Sequence, residues 1–209
     1  GWYARSIFST EPVASDYCGI ISAGSDTYYA NKTLSRQLQC RSVSVMLPRG
    51  YRYDFDLILA QKHDRPPVRE NIQLLPVNLS FPEPAGIVMV EAGKRYVSLV
   101  IGGNSKLFTI EKELLRQQVE QIVSLFPDSD LLVTTSRRTP QEIEDMLKSF
   151  PFAQSIYFSS GEGNPIPDFL QISDYVFITE DSSSMISEAV SFGRACIEIL
   201  PLSGGYSAN

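Results

Sequence analysis

The sequence predicts a doubly wound α/β protein built on parallel sheets. Three observations carry that reading. Apolar, β-branched segments alternate with segments of helical apolar spacing, most regularly from residue 96 onward. The strand segments are near-continuously apolar, as strands covered on both faces must be. A polar turn rich in glycine or hydroxyls follows each of them, which is the punctuation of repeated strand–helix units.

In the first part of the chain, Cys18-Gly19-Ile20-Ile21-Ser22-Ala23-Gly24 reads as a short buried strand ending in a glycine turn. Residues 31–38 read as a short helix. Residues 43–47 and 55–60 read as two further strands, and after a loop holding Pro66-Pro67 residues 72–77 read as another. Pro82, Pro84 and Gly86 then interrupt the pattern, so a domain junction is expected between about Pro82 and Tyr96. The expected organisation is a partial N-terminal Rossmann-like domain over 1–85 and a complete one over 86–209.

In the second part, Tyr96–Ile101 is a β-branched strand. Ile110, Leu114, Val119, Ile122, Val123 and Phe126 keep helical spacing behind Thr109 as N-cap. Residues 130–134 form a strand, and Thr139-Pro140-Gln141-Glu142 reads as a capping box with proline at the first helical position. Ile143, Met146, Leu147 and Phe150 continue that helix. Residues 155–158 read as a strand and 168–172 as a short helix. Tyr175–Thr179 is a strand, Met185, Ile186, Ala189 and Val190 mark a helix closed by Gly193, and Cys196–Leu200 is the last strand. Neither an internal repeat nor a low-complexity tract is present.

Charge and composition exclude some classes of function. Residues 1–90 carry 9 Lys/Arg against 8 Asp/Glu, and residues 91–209 carry 9 against 16, so the second part is acidic. A nucleic-acid binder that relies on phosphate contacts shows a basic face instead, and a polybasic membrane patch is equally disfavoured. With 43% apolar residues and no apolar run near the roughly 20 residues of a membrane span, the chain reads as soluble, with no transmembrane segment. Gly1-Trp2-Tyr3-Ala4-Arg5 does not have the charged head and apolar stretch of a signal peptide. Cys18, Cys40 and Cys196 are odd in number and widely spaced, which suits neither a disulfide framework nor a metal knuckle, so a cytoplasmic location is expected. No His/Cys/Glu cluster has metal-ligand spacing, and no bound metal or resident cofactor is expected.

In a parallel sheet the carboxyl ends of the strands share one edge, where ligands bind. Here those ends are Gly102-Gly103-Asn104-Ser105-Lys106, Thr134-Thr135-Ser136-Arg137-Arg138, Ser159-Ser160-Gly161-Glu162-Gly163-Asn164 and Glu180-Asp181-Ser182-Ser183-Ser184. Glycines let a ligand approach the backbone, and free N–H groups at helix starts favour phosphate. Polar, glycine-rich composition is also ordinary turn chemistry. The glycine loop is not a Walker A loop, because its spacing is wrong. One of Ser182, Ser183 and Ser184 is accounted for as a helix cap, which leaves hydroxyls over for a ligand. Glu188, about a turn into that helix, is either a solvated residue or a ligand contact. Arg137 or Arg138 could meet a ligand phosphate or form a surface ion pair. The single histidine, His63 in Gln61-Lys62-His63-Asp64, follows a strand; it is either a general base or an ordinary loop residue.

Three of these segments, residues 101–106, 132–140 and 179–189 with Gly193, resemble the mitochondrial fission Elm-like family. Leu59-Ala60-Gln61-Lys62-His63-Asp64 is similar to that family's strand-plus-histidine segment, and the resemblance covers the chain from about Gly19 to Leu200. Thr134-Thr135-Ser136-Arg137-Arg138-Thr139-Pro140 is its most specific element. The family is in turn similar to glycosyltransferases of the GT-B type, with two Rossmann-like domains and the site between them. The resemblance implies that Gly102, Gly103 and Ser105 face the diphosphate of a nucleoside-diphosphate sugar; Asn104 of the same loop and Arg137 are further candidates for binding it. It implies that Ser182, Ser183, Ser184 and Glu188 meet phosphate and ribose, with no metal; His63 is the candidate catalytic base. Against the GT-B pattern the N-terminal domain, at about 85 residues, is incomplete. The leading expectation is therefore a GT-B-like protein that binds a nucleoside-diphosphate sugar and transfers the sugar to an acceptor. The alternative is a non-catalytic interaction or scaffold protein that retains the fold.

Overall fold

The computed structural model describes residues 16–48, 53–76, 79, 83–192 and 194–204. The chain divides into two compact units, Gly1–Asn78 and Leu79–Asn209.

The first unit is a four-stranded, all-parallel sheet in the order β1 (Gly19–Ala23), β2 (Arg41–Val45), β3 (Leu57–Gln61) and β4 (Ile72–Leu75). One helix, α1 (Tyr28–Gln37), links β1 to β2. It starts a turn earlier than its apolar spacing indicated, because a 3-10 turn at Ser25–Thr27 leads into it. Buried Asn31 pins it to the sheet: the side-chain amide donates to the carbonyls of Ile20 and Val43 and to the Ser22 hydroxyl. Strand β2 ends at Val45 rather than at residue 47 because Met46 takes φ +78°, which turns the chain out of the pleat. Leu47 and Phe55, expected in strands, instead fill the small core with Tyr28, Ile58 and Ala60.

The second unit carries the cleaner pattern. Its sheet is five-stranded and all parallel, in the order β10-β9-β5-β7-β8, for β5 (Tyr96–Ile101), β7 (Asp130–Thr135), β8 (Gln154–Ile156), β9 (Tyr175–Thr179) and β10 (Cys196–Leu200). β5 lies in the middle with all six residues buried. Its alternation divides the core in two. Val97, Leu99 and Ile101 face the helices α2 (Lys112–Leu125) and α3 (Gln141–Leu147), through Leu115, Val119, Ile122, Ile143, Met146 and Leu147. Tyr96 and Val100 face α4 (Ile166–Ile172) and α5 (Ser183–Phe192), through Phe169, Leu170 and Ala189. Helices thus cover both faces, which is the doubly wound α/β arrangement the alternation predicts.

Two helix starts differ from the sequence reading. Thr109 does not cap α2. It belongs to a two-residue strand, β6 (Phe108–Thr109), paired antiparallel with β11 (Ser203–Gly204), and the residue before α2 is Glu111. Thr139 does not form a capping box either. Pro140, not Thr139, is the N-cap of α3, and it makes no side-chain cap bond. The Thr139 hydroxyl is engaged elsewhere, at the carbonyl of Gly102.

Residues 85–88, in the stretch read as the junction, are tied into the second unit by one side chain. The buried Asp168 carboxylate, in the first turn of α4, accepts from the backbone N–H groups of Ala85, Gly86, Ile87 and Val88 at 2.7, 3.1, 2.6 and 3.2 Å. Among the described residues no helix is long and apolar enough to cross a membrane.

Candidate functional site

The strand order fixes where a ligand site can form. From β5 the chain runs outward through β7 to β8, then returns to β9 and continues to β10 on the other side. The helices that follow β5 and β9 lie on opposite faces of the sheet. Between the carboxyl ends of β5 and β9 the layers therefore part, and this is the topological switch point at which doubly wound sheets hold ligands. Since all five strands are parallel, the four polar loops named from the sequence share this edge.

Gly102 and Gly103 leave β5 at the switch point, and both are buried. The Gly102 N–H donates to the Thr179 hydroxyl at 2.7 Å, and the Gly103 N–H donates to Asp181 at 3.0 Å. Thr179 in turn donates to the other Asp181 oxygen at 2.7 Å. The Arg138 guanidinium completes the cluster, 2.8 Å from Asp181, whose side chain is 0% exposed. A fully desolvated carboxylate thus binds the loops after β5, β7 and β9 together. Its charge is matched by one guanidinium, one backbone N–H and one hydroxyl, as a buried charge requires.

The glycines are required here by space. A Cβ on Gly102 would stand 2.1 Å from an Asp181 carboxylate oxygen, and one on Gly103 would stand 2.1 Å from the carbonyl carbon of Arg138. The Thr139 hydroxyl, which accepts from the Ser136 N–H at 2.8 Å, closes this contact from the β7 side by donating to Gly102.

The remaining loop groups shape the chain. The Ser105 hydroxyl accepts from the N–H groups of Leu107 and Phe108 at 3.2 and 3.1 Å, and Asn104 accepts from that of Ile110 at 2.9 Å. These contacts turn the glycine loop into α2. On the far side of β7, buried Glu144 accepts from the hydroxyls of Thr135 and Ser159. Thr135 itself accepts from the Phe158 N–H at 2.9 Å, so the loop after β8 is tied to α3.

Beyond β9 the serines begin α5. Ser182 is half-buried and accepts from the Met185 N–H at 3.4 Å, a long capping contact, whereas Ser183 and Ser184 are exposed. Glu188 is half-buried a turn further on, and burial holds its carboxyl above the ordinary carboxylate range. Of the two candidate arginines, Arg138 takes the ion pair, with the protein's own carboxylate, and Arg137 is exposed. His63 belongs to the first unit. It lies in a 3-10 turn, Lys62–Asp64, directly after β3 and so at the carboxyl edge of the four-stranded sheet.

The structure therefore brings Gly102, Gly103, Arg138 and the residues that open α5 to one edge of the second unit. Sequence reasoning passed over Thr139, Thr179 and Asp181, which hold that edge together. No local signal marked Asp181, because only the placing of β9 beside β5 sets its loop against the Gly-Gly turn.

The Asp181 cluster has a measurable consequence. Asp181→Ala leaves the Gly103 N–H and the Thr179 hydroxyl without their acceptor, and we expect it to destabilise the second unit by about 3 kcal/mol. The Arg138 contribution is small within that sum, because its side chain is 38% exposed and can rehydrate. Chemical denaturation tests this; a change below about 1 kcal/mol would show that the cluster does not hold the loops.

The model of the family described as Mitochondrial fission ELM1 matches residues 9–207. The chain is also similar to "Uncharacterized protein RP120" of Rickettsia prowazekii (strain Madrid E), with 28% identity over 107 residues, covering 48% of this chain and 30% of that protein. The chain thus spans less than a third of the length of this relative. A family match that begins before β1 and runs past β11 takes in both sheets and every loop of the candidate site: the chain belongs to the mitochondrial fission ELM1 family.

Proposed function

We propose that the second unit binds a nucleoside-diphosphate sugar at the carboxyl edge of its sheet, in the manner of a GT-B-type protein, without a metal. The observation that supports this reading is the switch point itself. The glycine loop after β5 and the start of α5 after β9 lie side by side there. The N-terminus of α5 presents its first N–H groups and about half a positive charge to a phosphate. In this reading Ser182, Ser183 and Ser184 supply hydroxyl donors and Arg137 an exposed cation. Gly102, Gly103, Asn104 and Ser105 form the floor under the diphosphate. The glycine amides are engaged by Thr179 and Asp181, so that floor contributes low relief rather than donors. Glu188, protonated more readily than an ordinary carboxyl, suits a hydrogen bond to a ribose hydroxyl. If the protein transfers the sugar, His63 of the first unit is the candidate base for the acceptor hydroxyl.

A second reading, a non-catalytic interaction protein that keeps the fold, has its own support. An anion already occupies the glycine turn: the Asp181 carboxylate sits on the Gly103 N–H and on Arg138. A loop whose polar groups are matched internally is stable without a ligand.

Calorimetry with a panel of nucleoside diphosphates and nucleotide sugars separates the two readings. Binding by the parent protein is the expected result. Ser182→Ala combined with Ser183→Ala is expected to weaken it roughly tenfold or more, since hydrogen bonds to charged groups contribute about 1.5–3 kcal/mol each. Ser182 also caps α5, so Ser183→Ala alone is the cleaner variant: it should lower affinity with an unchanged melting temperature. Undetectable binding of every nucleotide by the parent protein would leave the scaffold reading in place.

A further inference from the structure

The three cysteines are far apart in sequence, but the first unit brings two of them together. The parallel β1–β2 ladder pairs Gly19 with Arg41, and the N–H of Arg41 donates to the carbonyl of Cys18 at 3.3 Å. The next pair in register, one step before the strands begin, is Cys18 beside Cys40. Neighbouring strands lie about 4.8 Å apart, within the roughly 4.4–6.8 Å between Cα atoms that a disulfide spans. Cys40 lines one pocket with Ser35 and Arg36 of α1 and with Ser42 of β2. The Cys40 N–H donates to the carbonyl of Ser35 at 3.0 Å, which fixes its backbone against the end of α1.

Access differs between the two thiols in a useful way. Cys18 is exposed, and Cys40 is half-buried at the wall of a pocket of about 290 Å³ that Ser35, Arg36 and Ser42 also line. Both are free thiols in this structure. The third cysteine, Cys196, is exposed at the start of β10 in the other unit, where its register partner is Tyr175. It has no neighbouring thiol in the ladder.

We propose that Cys18 and Cys40 form a reversible redox pair, oxidised to an intramolecular disulfide by hydrogen peroxide. The exposed Cys18 thiolate attacks one peroxide oxygen; the O–O bond breaks, Cys18 becomes a sulfenic acid, and the departing hydroxide takes up a proton as water. The Cys40 thiolate then attacks the Cys18 sulfur, the S–O bond breaks, and a second water leaves as the S–S bond forms. Two thiols lose two electrons and two protons, and one peroxide is reduced to two waters. The product joins the starts of β1 and β2.

The test uses the full chain, treated with hydrogen peroxide and then alkylated with iodoacetamide under denaturing conditions. The expected product has lost two hydrogens and takes up label at Cys196 alone. Proteolysis should yield a Cys18–Cys40 linked peptide that dithiothreitol separates. Cys18→Ser and Cys40→Ser should each abolish the linked peptide, and Cys196→Ser should keep it. The proposal fails if oxidation modifies the cysteines singly without a link, if the link joins two copies of the chain on a non-reducing gel, or if all three cysteines remain alkylatable.

Discussion

Gly103→Ala is expected to destabilise the second unit by about 3 kcal/mol or more. The new methyl carbon would stand 2.1 Å from the backbone carbonyl carbon of Arg138 and 2.2 Å from its oxygen. Those atoms cannot swing aside as a side-chain tip can. They belong to the loop that also carries Thr139, whose hydroxyl is bonded to Gly102. Relief must therefore come from moving the loops after β5 and β7 apart, which also pulls Gly103 from Asp181. Overpacking of a tight contact costs about 1–3 kcal/mol, and loss of a hydrogen bond to a charged group adds about 1.5–3. Gly161→Ala provides the comparison. Gly161 has φ +71°, but nothing lies within 4 Å of its added carbon, so only the left-handed backbone is penalised, by about 1–2 kcal/mol. Urea denaturation of the two variants should rank them in that order. Equal midpoints, or a milder effect at Gly103, would mean that the glycine turn is not held by close packing.

Asp168→Ala is expected to cost about 3–4 kcal/mol through a different mechanism. One carboxylate accepts from four consecutive N–H groups, from Ala85 to Val88. Hydrogen bonds to an ionised acceptor contribute about 1.5–3 kcal/mol each. The simple sum overstates the loss, because Ala85 and Gly86 are exposed and their amides can bond to water once released. Val88 is buried, with its side chain packed among Tyr96, Ile156 and Phe169, so its amide has no such recourse. Asp168→Asn retains one acceptor oxygen and should lose about half as much. Hydrogen exchange provides the specific signature. The amides of Ile87 and Val88 should exchange far faster in the alanine variant while those of β5 remain protected. Unchanged protection at Val88 would show that Asp168 does not anchor this segment.

The two variants illustrate different kinds of legibility. Strand β5 was readable in full, because a run of β-branched residues at the centre of a parallel sheet must be apolar on both faces. The limits of β9 and β10 were also readable, although β10, at the sheet edge, carries Glu198 and is largely exposed. The helices were readable from spacing, since Val119 and Ile122 fall on the buried face of α2, although Leu115 rather than the expected Leu114 completes that face. In the first unit the strands were found but displaced by up to two residues. Apolar character does not distinguish a strand residue from one that leaves the sheet to plug the core, as Leu47 and Phe55 do.

Capping patterns were the least dependable guide. Thr139-Pro140-Gln141-Glu142 satisfies the local signature of a helix start, but a hydroxyl donates to whichever acceptor lies nearest, and the nearest is the carbonyl of Gly102, far away in sequence. The roles of Asp168 and Asp181 were hidden for the same reason. The backbone amides they accept from lie about 80 residues away, Val88 from Asp168 and Gly103 from Asp181, and no local pattern encodes a contact of that range. Cys18 and Cys40 likewise appear unrelated until the register of β1 and β2 is known.

By itself the sequence determined the class of fold, the alternation of strands and helices, and the edge on which the polar loops gather. Those depend on periodicity and burial, which are properties of neighbouring residues. Only the tertiary structure decided which polar groups on that edge bond to one another. That depends on the order of strands in the sheet: placing β9 beside β5 puts Asp181 against Gly103, and placing β7 on the other side of β5 brings Arg138 to complete the pair.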